Sequence, residues 1–343
     1  MKERILSYLC MFSILSMVTF PFMNSAQYVC ADSQSEGKAE CVMELNSRRV
    51  LYERRGDLRL PMASTTKIAT AITILNECKD LQEIVEIPAE AVGVEGSSVY
   101  LEQGEHYSVE ALLYGLMLRS GNDCATALAL HSGGCIRNFS VKMNETAQKA
   151  GALSTHFVNP HGLPQQNHYT TARDLSLISC YAMENTTFQK IVATKYYEPK
   201  HWANKNKILT QYEDGIGIKT GYTKEAGRCL VSAAKRGDMT LVCTVLNCGP
   251  MYERSIQLLD DAFNTYAYLP LVEKGDKMAV STKQGEMLGV VQESFYYPLA
   301  DGEIEQLEIK VSAIKEKQNK EIIGQFDILL SKRLLFSGKL YKL

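Results

Sequence analysis

The chain has 343 residues, 45% of them hydrophobic and 22% charged, with a formal net charge of −2. That length fits one large domain and a smaller one, and the near-neutral balance leaves no basic footprint for nucleic acid. Six histidines are scattered without HExxH or CxxC…CxxC spacing, so no metal and no cofactor is expected.

At the N-terminus, Lys2 and Arg4 precede an apolar run over residues 5–22, and Val29-Cys30-Ala31 offers small residues suited to signal peptidase, with Ala26 a second cleavage position. The expectation is a signal peptide over 1–31 and an exported chain. An uncleaved anchor is the competing reading, which Pro21 and the interspersed Ser, Tyr and Thr weaken. Export permits disulfides, yet the ten cysteines do not resemble a small disulfide scaffold. Cys124, Cys180, Cys229 and Cys243 sit in apolar stretches and read as buried thiols. Cys243 and Cys248 are near enough in sequence to pair.

Residues 40–53 predict a strand, an Asn46-Ser47 turn and a second strand. After the break at Leu60-Pro61, Ser64 opens a helix to about Glu77, with Ile68, Ala71, Ile72 and Leu75 at helical spacing. Residues 84–101 read as short strands and turns. Ser108 caps a helix carrying Leu112, Leu113, Leu116 and Met117, which stops at Arg119-Ser120-Gly121-Asn122. A second apolar helix starts at Asp123, so a polar turn is held at the edge of a core. Another helix spans 136–150 and ends at Gly151. The loop FVNPHGLPQQNHYTT follows, and Thr171 with Asp174 caps the next helix. A glycine-interrupted strand begins at 215–220, strands at 228–234 and 240–247 form a hairpin, and 253–266 reads as a helix. From Leu269-Pro270 onward the pattern alternates, as in EIEQLEIKVSA and EIIGQFDILL. The expected organisation is a signal peptide (1–31), a catalytic domain (32–268) and a small β-rich domain (269–343). The fold class is α+β, a sheet taking strands from both ends of the larger domain around a helical middle.

Three short motifs carry chemistry. Ser64 and Lys67 lie one helical turn apart, so the amine can reach the hydroxyl. A serine needs a base to become a nucleophile, and a lysine serves once burial or a second cation lowers its pKa. Alone the spacing is weak. Ser35/Lys38 and Ser312/Lys315 repeat it elsewhere in the chain, and serine is an ordinary helix cap. Ser120-Gly121-Asn122 is the one Ser-x-Asn in the chain; its bland reading is a turn. Lys219-Thr220-Gly221 is likewise unique. It reads either as an exposed edge strand or as one wall of a cleft, where glycine admits a substrate backbone.

Ser-x-x-Lys, Ser-x-Asn and Lys-Thr-Gly in this order form the active-site signature of penicillin-binding proteins and β-lactamases. The blocks RVLYERRGDLRLPMASTTKIAT, LMLRSGNDCATALA, FVNPHGLPQQNHYTTARDL and GIKTGYTKEAGRCLVSAA make residues 40–268 resemble the D-alanyl-D-alanine carboxypeptidases of low molecular weight, serine peptidase family S11. The resemblance implies a penicillin-binding, β-lactamase-like transpeptidase domain: an antiparallel sheet with a helical subdomain, followed by a small C-terminal β domain. It also implies removal of the terminal D-Ala from peptidoglycan stem peptides, with β-lactams as covalent inhibitors. By position, Ser64 is the acyl-forming nucleophile, Lys67 the proton acceptor and Ser120 the relay to the leaving amine. Asn122 positions substrate, Lys219, Thr220 and Gly221 hold the terminal carboxylate, and the amides of Ser64 and Tyr222 form the oxyanion hole. Arg254 is a further candidate for the carboxylate site.

Two departures stand out. The terminal FSGKLYKL is too short and strand-like for the amphipathic membrane helix that many members carry. Tyr222 follows the Lys-Thr-Gly, placing a ring beside the cleft. A class A β-lactamase would need a glutamate between the second and third motifs, and residues 146–183 contain none. D,D-endopeptidase, transpeptidase or weak β-lactamase activity remains the chemically adjacent alternative. A non-catalytic sensor is disfavoured because Ser64 and Lys67 are both present. The loop over 159–166 reads as structural, with Pro160 and Pro164 setting its path and His161 a bystander.

Overall fold

The computed structural model describes residues 36–282, 285–314 and 321–343, so the expected signal segment and the Ser35/Lys38 pair lie outside or straddle the described residues. Chain contacts separate a unit covering 31–262 from one that takes in 263–343.

In the first unit, β1 (Ala39–Glu44) and β2 (Val50–Arg54) form the predicted hairpin. Two small ladders follow: β3 (Ile84–Glu86) with β4 (His106–Ser108), and β5 (Tyr196–Tyr197) with β6 (Trp202–Ala203). Then come β7 (Gly215–Thr223), β8 (Gly227–Arg236) and β9 (Met239–Leu246). The main sheet is ordered β2-β1-β9-β8-β7 and is antiparallel throughout. It does draw strands from both ends of the unit. Every residue of β9 is buried, which requires cover on both faces and explains why its sequence is apolar rather than alternating. β7 is left as an edge, with one row of main-chain groups unpaired by the sheet.

The helix Lys67–Glu77 is buried over its first eight residues, packed among the helices Asn122–Gly133, Ile136–Lys149 and Ala172–Met183. The caps predicted at Ser108 and Thr171 form, with Ser108 Oγ accepting from the Ala111 amide and Thr171 Oγ1 from the Asp174 amide. Two local expectations are revised. Ser64 does not cap the α-helix; it sits in a 3-10 turn, Ala63–Thr66, that feeds into it. The helix after Ser108 is α-helical only over Val109–Tyr114. It widens to a π-turn over Gly115–Arg119 and ends with Ser120 left-handed at φ 63°. Gly115, Leu116, Met117 and Leu118 are all buried, so no polar face marks the change of register and periodicity could not reveal the π-turn.

The second unit is β-rich. β10 (Tyr266–Val272) precedes β11 (Lys277–Thr282) and β12 (Gly285–Val291), and pairs with β13 (Phe295–Ala300). β14 (Leu307–Ala313), β15 (Ile322–Leu330) and β16 (Arg333–Lys342) complete a five-stranded sheet, β11-β12-β16-β15-β14. Gly324, Phe326, Ile328 and Leu330 of β15 are buried at every second position, the period of a strand with one face on a core. That core includes Val280, Val291, Phe326 and Leu340. The contact boundary at Phe263 precedes the compositional shift at Leu269, because β10 already pairs within the second unit from Tyr266. No helix among the described residues is long and apolar enough to cross a membrane.

Candidate active site

The segment before Ser64 is wedged into place. Ala63 adopts φ 50°, costly for a residue with a Cβ. Gly162 from the loop after the Ile136–Lys149 helix lies against it so closely that a Cβ there would fall 1.9 Å from the Ala63 carbonyl oxygen. Thr65 Oγ1 donates to the Met62 carbonyl at 2.6 Å. The turn thereby leaves the Ser64 side chain only partly buried, one turn ahead of Lys67 at the start of the long helix.

Lys67 is fully buried. Its Nζ lies 2.9 Å from Ser64 Oγ, 2.6 Å from Asn122 Oδ1 and 2.8 Å from the His161 carbonyl oxygen. The Asn122 amide is fixed in that sense because its Nδ2 donates to the Glu95 carbonyl. Two of the three neighbours can only accept, whereas the Ser64 hydroxyl can donate. A neutral amine matches this set: two N–H bonds to the acceptors and a lone pair toward the hydroxyl. Burial, reinforced by the Lys219 ammonium, pushes Lys67 well below the ordinary lysine range. Burial and the neighbouring cation thus favour the neutral amine, which lies within hydrogen-bond reach of the Ser64 hydroxyl.

The Ser-Gly-Asn turn is held by the loop over 95–101. The Asn122 amide donates to the Ser97 carbonyl at 2.7 Å. Asp123 Oδ2 accepts from Ser98 Oγ and from the amides of Val99 and Leu101. Gly96 is needed at this approach: it has φ +96°, and a Cβ would meet Asn122 Nδ2 at 2.8 Å. Ser120 is nearly buried beside it.

β7 closes the site. A Cβ on Gly221 would come within 3.0 Å of the Ser64 amide nitrogen, so this glycine sets the distance between the edge strand and the Ser64 turn. Lys219 is 2% exposed, and its Nζ donates to the Thr220 carbonyl at 3.1 Å. Burial, then the nearby Lys205 charge, lowers its pKa to about 7. Thr220 is half-buried, and the Tyr222 ring is 65% exposed, open to the solvent side of the cleft.

The sequence reading missed two contributors. The first is the His161 carbonyl; the imidazole, lowered to about 3 by burial and then by Lys67, stays neutral and accepts from the Leu163 amide. The second is Lys205. Its amide donates to the Leu118 carbonyl, its Nζ lies 3.5 Å from Ser97 Oγ, and its charge acts on both Lys67 and Lys219. It adds a cation where an anionic group would arrive.

Arg254 is a correction. Its guanidinium makes two bonds to Glu40, at 2.9 and 2.8 Å, and one to Tyr52. Glu40 is in register with Val245, Val245 with Leu230 and Leu230 with Thr220. The pair thus sits three strand spacings, about 14 Å, from Thr220, and its guanidinium is committed there. Glu40 is 0% exposed and also accepts from the Gly37 amide. Removing one partner of a buried pair strands a charge, at about 3–5 kcal/mol. Arg254→Ala is therefore expected to lower the denaturation midpoint markedly while leaving kcat/KM per folded molecule within about threefold; a loss of turnover without loss of stability would return Arg254 to the site.

The family model of the S11 peptidases, the D-alanyl-D-alanine carboxypeptidases, matches residues 25–249. The chain is 31% identical over 302 residues to the D-alanyl-D-alanine carboxypeptidase DacF of Bacillus subtilis, covering 83% of this chain and 77% of that one. It is 38% identical over 219 residues to the D-alanyl-D-alanine carboxypeptidase of Streptomyces sp. strain K15, covering 57% and 75%. Among solved structures, penicillin-binding protein 5 from Haemophilus influenzae superposes with a TM-score of 0.75 at 24% identity, over 93% of this chain and 98% of that one. A single-residue mutant of the Streptomyces K15 DD-transpeptidase superposes with a TM-score of 0.63 at 34% identity, over 66% and 98%.

Proposed function

Because the chain belongs to the S11 family of D-alanyl-D-alanine carboxypeptidases, we propose that it performs the family's reaction through an acyl-enzyme on Ser64. It is a serine-type D-Ala-D-Ala carboxypeptidase of peptidoglycan metabolism. The observation that carries the residue assignment is the Lys67 amine, buried and lying 2.9 Å from Ser64 Oγ between two acceptor-only groups.

In this reading the chain is exported and meets stem peptides ending in D-Ala-D-Ala. The peptide lies along the free edge of β7. Lys219 and Thr220 hold the terminal carboxylate, whose charge restores the Lys219 proton on binding. Ser64 Oγ attacks the carbonyl of the penultimate residue as its proton passes to Lys67. Negative charge develops on the carbonyl oxygen, and in this reading the amides of Ser64 and Tyr222 form the oxyanion hole that receives it. The C–N bond breaks, and the leaving D-Ala amine takes a proton from Lys67 through Ser120. Water then attacks the ester, with Lys67 again as base, and frees the shortened peptide and Ser64. A β-lactam presents a similar carbonyl and carboxylate and stops at the ester.

The direct test is release of D-Ala from N-acylated X-D-Ala-D-Ala, together with mass mapping of a penicillin adduct. The expected result is catalytic release and an adduct on Ser64. An adduct without release would favour a β-lactam sensor. An adduct elsewhere would remove Ser64 as nucleophile.

A further inference from the structure

We propose that His168 is a positioning residue for the nucleophile: its Nε2–H holds Thr66, and through Thr66 the turn that presents Ser64 to Lys67. The proposal rests on the carboxypeptidase reading above.

His168 is 6% exposed. It starts a ribbon that is pinned from both sides, since Tyr169 bridges to His156 and Thr170 to Leu60. Its main-chain amide donates to the Gln165 carbonyl at 3.0 Å. Its ring packs edge-on against Phe157, with 5.8 Å between centroids. The ring is therefore fixed by its own surroundings before it meets the site.

Its two partners place the ring proton. Nδ1 lies 3.1 Å from the Val158 amide nitrogen. A main-chain N–H can only donate, so Nδ1 accepts. The proton of the neutral ring then sits on Nε2, which lies 2.9 Å from Thr66 Oγ1 and donates to it. Burial, then the nearby His156, lowers the His168 pKa to about 4, so the neutral ring prevails at neutral pH.

The two bonds differ in what they hold. The loop after Val158 has anchors of its own: Thr70 Oγ1 donates to the Pro160 carbonyl at 2.6 Å, and Asn159 Oδ1 accepts from the Gly162 amide at 2.8 Å. The turn Ala63–Thr66 has fewer. Both bonds from Thr65 run back to Met62, within the same segment. Ala63 stands at φ 50°, a conformation that persists only where the surroundings enforce it. Among the described hydrogen bonds, the one that reaches this turn from a distant segment is that of His168. Thr66 is also the joint between the turn bearing Ser64 and the helix that begins with Lys67. Releasing it lets the hydroxyl drift from the amine, and a misplacement of about 1 Å can cost about 10²-fold in rate.

The test uses the full-length enzyme, with kcat and KM for D-Ala release measured well below each variant's Tm. His168→Gln puts an amide nitrogen near the place of Nε2 and keeps the Thr66 bond. His168→Asn ends at the level of Nδ1 and keeps only the Val158 bond. Each gives up one buried hydrogen bond, so both should lose a similar few degrees of Tm. Their turnover should part. His168→Gln is expected within about threefold of wild-type kcat, and His168→Asn lower by about tenfold to a hundredfold. KM should stay within about threefold in both, since the carboxylate is assigned to Lys219 and Thr220. Thr66→Val should reproduce the His168→Asn loss, and the double variant should lose no more than either alone. Equal kcat in the Gln and Asn variants would overturn the proposal, as would losses that multiply in the double variant. A wild type that releases no D-Ala would overturn the carboxypeptidase reading instead. The same variants would then be compared by their rates of penicillin acylation, where the same split is expected and its absence counts against His168.

Discussion

Ser64→Ala is expected to lower D-Ala release by at least about 10⁴-fold and to abolish the penicillin adduct, because no ester can form without Oγ. The variant should remain folded. Ser64 is partly exposed, and its side chain makes one described contact, to Lys67 Nζ. Losing a single hydrogen bond costs about 1 kcal/mol, a shift of a few degrees in Tm for a unit of this size. The Lys67 amine keeps Asn122 and His161 as partners, so its position survives. The variant should also still bind a D-Ala-D-Ala peptide, since Lys219, Thr220 and Gly221 are untouched. Unchanged affinity with lost turnover separates a missing nucleophile from a collapsed cleft. Retained acylation would assign the ester to another residue.

How far the sequence spoke for the site depends on which part of a residue does the work. Ser64, Lys67 and Asn122 were legible because side-chain identity and spacing carry their role, and the structure brings the three into contact. The His161 carbonyl was not, since every residue carries one; what marks the loop is Gly162, whose missing Cβ lets it press on Ala63. Lys205 was hidden because an Asn-Lys-Asn stretch has no periodicity and reaches the site only through the fold, by its amide bond to Leu118. Arg254 was misplaced for the opposite reason. Its helix was read correctly, but its partner Glu40 stands 214 positions earlier, and nothing local announces such a pair. The strands of the sheet showed themselves by hydrophobic runs and turn residues. The π-turn before Ser120 did not, although it is what delivers Ser120 and Asn122 to the cleft.

Lys67→Gln separates the base from the hydrogen-bonding role of the same side chain. Glutamine keeps two N–H donors for Asn122 Oδ1 and the His161 carbonyl, which would otherwise cost about 1–3 kcal/mol each when left buried and unpaired. It has no basic lone pair for the Ser64 proton. Acylation by penicillin should slow by about 10²–10⁴-fold, the range for a positioned general base, with Tm near wild type. Acylation within tenfold of wild type would show that Lys67 only organises the site. The pH profile supplies an independent readout. Burial and Lys219 lower Lys67, which favours the neutral form that can accept the Ser64 proton, and kcat/KM falls when acid protonates it. Lys219 acts in the opposite sense: it must be charged to hold a carboxylate, and with a pKa lowered to about 7 it loses its proton as pH rises past that value. The wild-type kcat/KM profile should therefore be bell-shaped, declining above about 7 as the free enzyme titrates. Bound carboxylate favours the ammonium, so the alkaline limb of kcat should lie at higher pH than that of kcat/KM. The two lysines interact, and the limbs belong to the pair rather than to either residue alone. In Lys67→Gln the acid limb should vanish while the alkaline limb stays. An acid limb unchanged in that variant would assign the base to another group.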